Sequence, residues 1–576
     1  MRRQSAAHFF LEGLADLGID YIFANLGTDH VSLIEEFARW DLEGRRHPQV
    51  VLCPHENVAV HMAGGYALAT GRGQAVLVHV DAGTANSTMA IQNLARYRLP
   101  VLLMAGRAPY TLRGELPGSR DAYVHFVQDP FDMASLVRPY VKWEYTLPTG
   151  VIAKEALRRA HSVMESDPKG PVYLMLPRET LAEELDDRGA AFPETRYGPV
   201  RAGGVEPERA VAIAEALMAA EHPIAITAYL GRKPEAVAAL DALARECGIR
   251  VVEYNALDLS IPQDSPCFAG FDPVKAMEGA DLGLLLDVDV PFIPKYAARA
   301  DAICWIQIDI DPLKGDFPMW GFAAEMRVAG DCAIVLRQVL EAVRARADGA
   351  YRERVARRIA GFAPEREASR QRVAAAAAKP GETDAISPDH LCAVLNAKLA
   401  PDDIVLNESI RNTLPVQEQI LRVKPQSYVG LGGAGLGYSG GMALGLKLAR
   451  PDRRVVQIVG DGSYHFSAPD SVYATAQQYQ LPIFTVVLDN RGWQAVKSSV
   501  MRVYPKGAAA ETDNFLSRLE SGRQGEERKL EDVARAFGAH GECVRRPEDV
   551  AVAIDRCFAA LADGRAAVLR VRVTPL

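Results

Sequence analysis

The strongest pattern in the chain is a pair of short apolar runs, each followed by polar and glycine residues. The first run, residues 455–459, ends at GDGS in 460–463, and the second, residues 483–488, ends at DNRG in 489–492. Such runs between turns are typical of buried strands in a parallel sheet. Carboxyl ends of parallel strands share one edge, where helix amino termini and ligands also lie. We therefore expect the two turns to meet in a binding site.

The same alternation of apolar runs and helical patterns divides the rest of the chain. Predicted strands lie at 20–24, 50–53, 75–80 and 101–105, then at 224–226, 250–253, 282–286 and 304–308, and finally at 404–406, 455–459, 483–488 and 567–571. This alternation predicts an α/β fold with three doubly wound parallel sheets, the first and third of one layout. We expect domains at 1–185, 200–345 and 388–576, with an Arg- and Ala-rich helical spacer and linker at 346–387.

Composition narrows the class of protein. The 576 residues are 49% hydrophobic and 24% charged with a net charge of −8, which indicates a globular protein and argues against nucleic-acid or membrane partners. No apolar run approaches ~18 residues, and the amino terminus has an amphipathic pattern that differs from a signal peptide. Eight scattered cysteines without a CxxC motif predict reduced thiols and a cytoplasmic location.

The turns after the two strands offer only oxygen ligands. Asp461 supplies a carboxylate, Asn490 an amide oxygen, and the backbone beyond it a carbonyl, a set suited to Mg²⁺ carrying a diphosphate. The glycines around Asp461 allow close approach of backbone to phosphate. A Gly-Asp-Gly sequence alone is also an ordinary turn.

Two further candidates lie in the first unit. Glu56 falls in the first turn of a helix in 54–67, where an acidic residue also suits the helix dipole. His79 ends a strand within 76–86, so it is either a satisfied core histidine or a proton-transfer group. Asn86 is expected to open the next helix, where this residue type often acts as a cap.

The segment 444–463, closed by Asn490 at 29 positions after Asp461, resembles the motif of thiamin diphosphate (ThDP) enzymes of the acetolactate synthase and benzoylformate decarboxylase group. This resemblance implies that Asp461, Asn490 and the carbonyl of Gly492 bind Mg²⁺. The family usually ends the motif with two asparagines, whereas this chain has Asp489 in place of the first, with no role assigned.

The resemblance extends to the first unit. It implies that Glu56 hydrogen-bonds the aminopyrimidine ring and promotes the reactive form of the cofactor. His79, 23 positions later as in benzoylformate decarboxylase, would transfer protons, and Thr28 would contact substrate. Gln128 resembles the glutamine of acetolactate synthases, and Asn86 is expected at the cofactor.

In the third unit, GGAGLGY at 432–438 resembles the segment that lies under the cofactor. Leu436 takes the position of the apolar residue that forces the bent cofactor conformation, and the carbonyl of Ala434 faces the aminopyrimidine. The resemblance also implies cofactor contacts from Ile410, Gly462 and Ser463.

The implied activity is ThDP- and Mg²⁺-dependent decarboxylation of a 2-oxo acid, followed by protonation or carboligation of the enamine intermediate. The alternative is a lyase acting on 2-hydroxyacyl-CoA or oxalyl-CoA. Val496 is apolar where pyruvate decarboxylases carry an acidic group, so acetaldehyde production is less expected. Only Gly231 is a glycine in the first turn of the middle unit, which predicts no tightly held FAD.

The implied assembly is a homodimer or a dimer of dimers. Glu56 and Asp461 lie in different units, and the family shares each cofactor between the first unit of one subunit and the third unit of its partner. We expect an apolar interface near the helices of Gly64 and Leu436. The polar segment 503–528 is predicted to be a mobile lid.

Overall fold

Three parallel sheets, one in each predicted unit, carry the fold in the computed structural model, which describes residues 3–186, 194–430, 432–519 and 527–574. All three predicted doubly wound units are confirmed, and helices alternate with the strands along the chain.

The first unit is built on a parallel sheet of order β3-β2-β4-β5-β7-β6. Its strands, with the short antiparallel pair β1 and β8, are β1 (Arg3–Ser5), β2 (Tyr21–Ala24), β3 (Gln49–Leu52), β4 (Gln74–Val78), β5 (Val101–Arg107), β6 (Glu144–Thr146), β7 (Val172–Pro177) and β8 (Glu184–Asp186). Its helices are α1 (Ala6–Asp16), α2 (Val31–Leu42), α3 (Glu56–Thr70), α4 (Val80–Tyr97), α5 (Val124–Val127), α6 (Ala153–Glu165) and α7 (Arg178–Ala182).

The middle unit has a smaller parallel sheet of order β10-β9-β11-β12-β13. Its elements, with the helices that follow, are α8 (Glu194–Tyr197), α9 (Pro207–Ala219), β9 (Pro223–Thr227), α10 (Pro234–Cys247), β10 (Arg250–Glu253), α11 (Pro273–Ala276), β11 (Leu282–Leu286), β12 (Cys304–Asp309), β13 (Met326–Ala329), α12 (Cys332–Arg346), α13 (Gly349–Gly361) and α14 (Ala363–Ala377). Helices α13 and α14 form the predicted spacer, and the short hairpin β14 (Gly381–Glu382) and β15 (Ala385–Ile386) follows.

The third unit repeats the layout of the first, with order β17-β16-β18-β19-β21-β20. Its strands are β16 (Ile404–Glu408), β17 (Tyr428–Val429), β18 (Val455–Gly460), β19 (Phe484–Asp489), β20 (His540–Val544) and β21 (Ala567–Arg572). Its helices are α15 (Pro388–Asn396), α16 (Thr413–Gln419), α17 (Ser439–Ala449), α18 (Asp461–Phe466), α19 (Pro469–Gln478), α20 (Gln494–Val503), α21 (Ala508–Glu511), α22 (Leu530–Arg535) and α23 (Pro547–Ala562).

In both larger sheets the strand order reverses direction at corresponding places. The chain moves outward from β2 to β3 and then returns to β4 on the other side of β2, and it does the same from β16 to β17 and β18. The connections therefore diverge between β2 and β4 and between β16 and β18, which leaves a crevice at the carboxyl edge of each sheet. The candidate site residues follow these strands.

Helices α3 and α17 pack against each other and join the two larger units. A Cβ atom on Gly65 would lie 2.2 Å from the carbonyl oxygen of Met442, and one on Gly445 would lie 2.0 Å from that of Met62. Glycine is thus required for this close approach. Residues 56–69 are all buried by the single chain, so this contact, predicted to lie near a subunit interface, is made within one chain.

Residues 520–526 of the predicted lid lie outside the described residues. The described part of the lid contains α21 and the isolated bridge between Gly492 and Arg518. Among the described residues, no helix combines the length and apolar character needed to cross a membrane. The eight cysteines are free thiols.

Candidate active site

Glu56 is the first residue of α3, directly beyond the carboxyl end of β3, and it is buried. The side-chain amides of Asn25 and Asn86 donate to its two carboxylate oxygens, at 2.8 Å to Oε1 and 3.0 Å to Oε2. A carboxylate with a donor on each oxygen is held in one plane and orientation. The structure thus brings the predicted residues Glu56 and Asn86 together and adds Asn25, which follows β2.

Asn86 does not cap a helix. Helix α4 begins at Val80, with His79 as its N-cap, so Asn86 lies in the second turn and its side chain is free to reach Glu56. The sequence interpretation placed the helix start too late because the glycine at position 83 suggested a turn. In the structure Gly83 is a helical residue packed against Val78.

The other three predicted catalytic residues meet at the carboxyl ends of β2 and β4. His79 Nδ1 lies 2.5 Å from Asp29 Oδ1, and His79 Nε2 lies 3.1 Å from Gln128 Oε1. The Thr28 hydroxyl lies 3.3 Å from His125 Nε2. His79 thus contacts Gln128 and Asp29, while Thr28, which precedes Asp29 in the chain, contacts His125. Asp29 and His125 are residues that the sequence did not single out.

Asp461, Asn490 and Gly492 converge after β18 and β19. One atom of the Asn490 side-chain amide lies 3.2 Å from Asp461 Oδ1 and 2.7 Å from the Gly492 carbonyl oxygen. If that atom is nitrogen, the amide donates to both oxygens. If it is oxygen, it lies between two other oxygens at the distances just given. Adjacent ligands of an octahedral Mg²⁺ at 2.0–2.1 Å stand about 3 Å apart, so the three oxygens fit that cation.

The backbone around this point is tightly constrained. Gly492 has φ 140° and a Cβ atom there would lie 2.1 Å from the carbonyl oxygen of Ser517. A Cβ atom on Gly462 would lie 2.7 Å from the indole nitrogen of Trp493. Gly462 and Ser463 occupy the first turn of α18 beside Asp461, where backbone N–H groups suit a diphosphate.

The structure explains the aspartate at position 489, to which the sequence assigned no role. Asp489 is buried, and its carboxylate accepts from Arg528 Nη2 at 2.8 Å and from Arg570 Nη1 at 3.1 Å. The same Arg528 nitrogen donates to Asp461 Oδ2 at 2.8 Å. Burial raises the pKa of Asp461 and Asp489 adds to this, whereas Arg528 opposes it. Arg528 therefore orients Asp461 while leaving its Oδ1 for a cation.

The glycine-rich segment before α17 is fixed from both sides. Asn93 of α4 donates to the Gly435 carbonyl at 3.0 Å and accepts from its N–H at 3.0 Å. Glu408, fully buried, accepts from the N–H groups of Gly437 at 2.5 Å and Ser439 at 3.0 Å. Burial raises the pKa of Glu408 to about 7.

This support leaves two predicted cofactor residues accessible. Ala434 is exposed with φ 60°, and Leu436 is only partly buried.

Two β-branched residues beside the site have positive φ angles. Val80, directly after His79, has φ 30°, and Ile410, shortly after β16, has φ 45°. Such conformations are costly for branched side chains and occur where surrounding structure enforces them, often at functional sites. Ile410 and Ala434 line a cavity of about 550 Å³ between the three units.

Ion pairs line the carboxyl edge of the middle sheet, next to this cavity. The Tyr229 hydroxyl donates to Asp309 at 2.7 Å, and Lys314 pairs with Asp309 at 2.8 Å and with Asp289 at 2.9 Å. Arg98, at the end of α4, reaches across from the first unit and binds Asp289 at 2.8 Å. Tyr229 and Lys314 are fully buried.

Taken together, the parallel-sheet edges, the buried glutamate and the oxygen cluster have the donor groups that a diphosphate cofactor with a divalent cation requires. The thiamine pyrophosphate enzyme N-terminal TPP binding domain matches residues 4–136, and the corresponding C-terminal TPP binding domain matches residues 414–571. The chain belongs to the thiamine pyrophosphate enzyme family.

Comparison with individual proteins supports the same family. Benzoylformate decarboxylase of Pseudomonas aeruginosa is 26% identical over 505 residues, covering 83% of this chain and 85% of that protein. Acetolactate synthase large subunit of Haemophilus influenzae is 23% identical over 588 residues, covering 97% and 93%. The crystal structure of benzoylformate decarboxylase from Polynucleobacter necessarius superposes with a TM-score of 0.77 at 18% identity, covering 100% of this chain and 99% of that one. That last similarity concerns the fold.

Proposed function

We propose that this protein is a ThDP- and Mg²⁺-dependent decarboxylase of a 2-oxo acid that delivers a proton to its product. The observation that carries this proposal is the placement of His79 between the Asp29 carboxylate and the Gln128 carbonyl oxygen, at 2.5 and 3.1 Å. A histidine held between two acceptors at a crevice is suited to donate a proton. Its side chain is partly exposed, so water can return a proton to the ring.

The residues of both halves fit the cofactor. When bound, ThDP supplies an electron sink for the charge left by departing CO₂. Asp461, Asn490 and the Gly492 carbonyl would hold the Mg²⁺ that carries its diphosphate. Glu56 would hold a proton at a nitrogen of the pyrimidine ring, in the orientation that Asn25 and Asn86 give its carboxylate.

We further propose that the middle unit holds no flavin. A dinucleotide needs close backbone approach to its pyrophosphate at the carboxyl edge of the sheet. Tyr229, Lys314 and Arg98 place paired charges along part of this edge, next to the cavity of about 550 Å³. In addition, a Cβ atom on Gly231 would lie 2.0 Å from the Leu259 carbonyl oxygen, so this turn is packed against protein.

Incubation with ThDP, Mg²⁺ and a panel of 2-oxo acids is expected to release CO₂ and the corresponding aldehyde. The panel includes 2-oxo acids with aromatic side chains, because the cavity beside Ile410 and Ala434, at about 550 Å³, has room for an aromatic ring. Gas release and chromatography of products give the readout. A hydroxy ketone as the main product would instead support carboligation, and turnover of only a 2-hydroxyacyl-CoA or oxalyl-CoA would select the lyase alternative.

We also propose a two-fold dimer in which each site is shared between subunits. Large apolar side chains next to each half of the site are exposed in the single chain: Leu52 by 43%, Phe126 by 57%, Val127 by 64%, Phe466 by 53% and Val496 by 46%. Such a concentration around a polar crevice is typical of a surface that a second copy covers.

Mixing Glu56→Gln subunits with Asp461→Ala subunits is expected to restore activity, because one site of each heterodimer has both residues intact. Random exchange would give roughly a quarter of the wild-type number of sites. Recovery is measured after exchange has been verified with differently tagged subunits. If activity stays at the level of the separate variants, both residues act within one chain. That arrangement is a real alternative, since Asn57 already donates to the Gly437 carbonyl of its own chain at 3.2 Å.

A further inference from the structure

Asp29 is a buried carboxylate beside the predicted proton donor, and the family motif does not include it. It follows β2 in the loop before α2 and is 2% exposed. One oxygen faces His79 Nδ1 at 2.5 Å, and the other lies 3.2 Å from His30 Nε2 and 3.4 Å from the backbone N–H of Val80. All of its near neighbours are therefore potential donors.

The backbone leaves room for this carboxylate and imidazole. A Cβ atom on Gly106, in β5, would lie 1.4 Å from Asp29 Oδ2, and one on Gly27 would lie 2.0 Å from His79 Nδ1. A side chain at either position would displace the pair. Two neighbouring strands and one loop thus form a pocket around Asp29 and His79.

The hydrogen bonds assign the protons. His30 Nδ1 accepts from the Gly27 N–H at 3.0 Å, so the proton of neutral His30 is on Nε2, which lies 3.2 Å from Asp29 Oδ2 without hydrogen-bond geometry. His79 Nδ1 faces a carboxylate and Nε2 faces the Gln128 carbonyl oxygen, both of which accept. Both nitrogens of His79 need a proton in this arrangement, which makes the ring an imidazolium.

We propose that Asp29 is a positioning residue that holds His79 as an imidazolium whose Nε2 proton, facing Gln128 on the side of the ring away from Asp29, is available for transfer to the substrate. This inference rests on the proposed decarboxylase function. In the proton-transfer step, the N–H bond at Nε2 breaks and its proton forms a C–H bond at the carbon that has lost CO₂. His79 is left neutral with its proton on Nδ1, and it regains the other from water. Asp29 stays ionised throughout.

The electrostatic surroundings of His79 agree with this role. The hydrogen bond that His79 donates to Asp29 raises the pKa of His79, burial opposes it, and Gln128 and Asp81 contribute in the same direction as Asp29. Burial alone would raise the pKa of Asp29, yet His79 and His30 hold it below its usual range. Farther from His79, the negative charge of Asp29 acts to raise the pKa values of His125 and Arg178. Arg178 is itself paired with Asp121 at 2.8 Å.

Replacement of Asp29 by asparagine tests the proposal, because the side chain keeps its shape but loses its charge. We expect kcat to fall by about 10²- to 10⁴-fold, as for loss of a general acid, with a smaller change in KM and unchanged ThDP affinity. The alkaline limb of the kcat profile should move to lower pH, since His79 then loses its proton more easily. Asp81→Asn is the graded comparison: it removes a carboxylate that raises the pKa of His79 through space, while His79 keeps its hydrogen bonds to Asp29 and Gln128, so we expect a smaller shift in the same direction.

The second readout does not depend on activity. The imidazole signals of ¹⁵N-labelled protein, assigned with His79→Gln, should show His79 protonated to a higher pH in the wild type than in Asp29→Asn. An equal titration in both proteins overturns the proposal, even if the variant is less active. A shifted titration in a protein that releases no CO₂ from any 2-oxo acid supports the Asp29–His79 pair and rejects the proposed function instead.

Discussion

Replacing Glu56 by glutamine is expected to slow exchange of the C2 proton of bound ThDP by about 10²- to 10⁴-fold, the usual contribution of a positioned acid or base. Glutamine fills the same volume but cannot hold a proton on the pyrimidine nitrogen as a carboxyl group does. ThDP should still bind, because its diphosphate is held in the third unit. Hydrogen–deuterium exchange of the holoenzyme, followed by quench and NMR, measures this rate without a substrate.

Glu165→Gln is the control for this prediction. Glu165 is as buried as Glu56, at 5% against 6%, but it accepts from the N–H of Gly73, at the opposite edge of the same sheet. The control should exchange at the wild-type rate. Wild-type exchange in Glu56→Gln would exclude the assigned role, whereas loss of ThDP binding in that variant would show that Glu56 contributes mainly to affinity.

The sequence predicts the sheet edges well because each buried strand ends abruptly at polar residues. The shared layout of the first and third sheets, and the convergence of Asp461 with Asn490 and Gly492, follow from that pattern, whereas the order of the strands was not predicted. The strands Tyr428–Val429 and Glu144–Thr146 were not predicted, since two or three residues are too few to show a periodicity. The longer strands Val172–Pro177 and His540–Val544 were not predicted either.

The residues that support the site have only weak signals in the sequence. Asn25 and Asp29 lie in a loop whose conformation decides which side chains reach Glu56 and His79, and loop conformation has no periodic signal. Arg528 lies 67 positions from Asp461 and reaches it only through tertiary packing. The one usable signal was the unassigned carboxylate at position 489, because a buried charge requires a partner of opposite sign.

Replacing Asp461 by alanine is expected to abolish binding of ThDP in the presence of Mg²⁺. Two neutral oxygens would remain for the cation, and a dication bound by neutral oxygens and water holds a diphosphate weakly. Wild-type protein should gain about 2.7 kcal/mol of stability at free ThDP equal to 100 times Kd, whereas the variant should gain none. Calorimetric titration and the ligand dependence of thermal unfolding measure both effects.

The Arg528→Met variant is expected to weaken Mg²⁺ binding less than Asp461→Ala does. Asp461 would keep its carboxylate but lose the donor on Oδ2, and loss of such an outer contact usually weakens metal binding by about 10- to 100-fold. Asp403→Ala is the control, since Asp403 is a buried aspartate that pairs with Arg454 at the amino edge of the same sheet. It should bind ThDP as the wild type does. If Asp461→Ala folds and retains wild-type ThDP affinity, the cation lies elsewhere; an Arg528→Met variant with unchanged Mg²⁺ affinity would mean that Arg528 only neutralises Asp489.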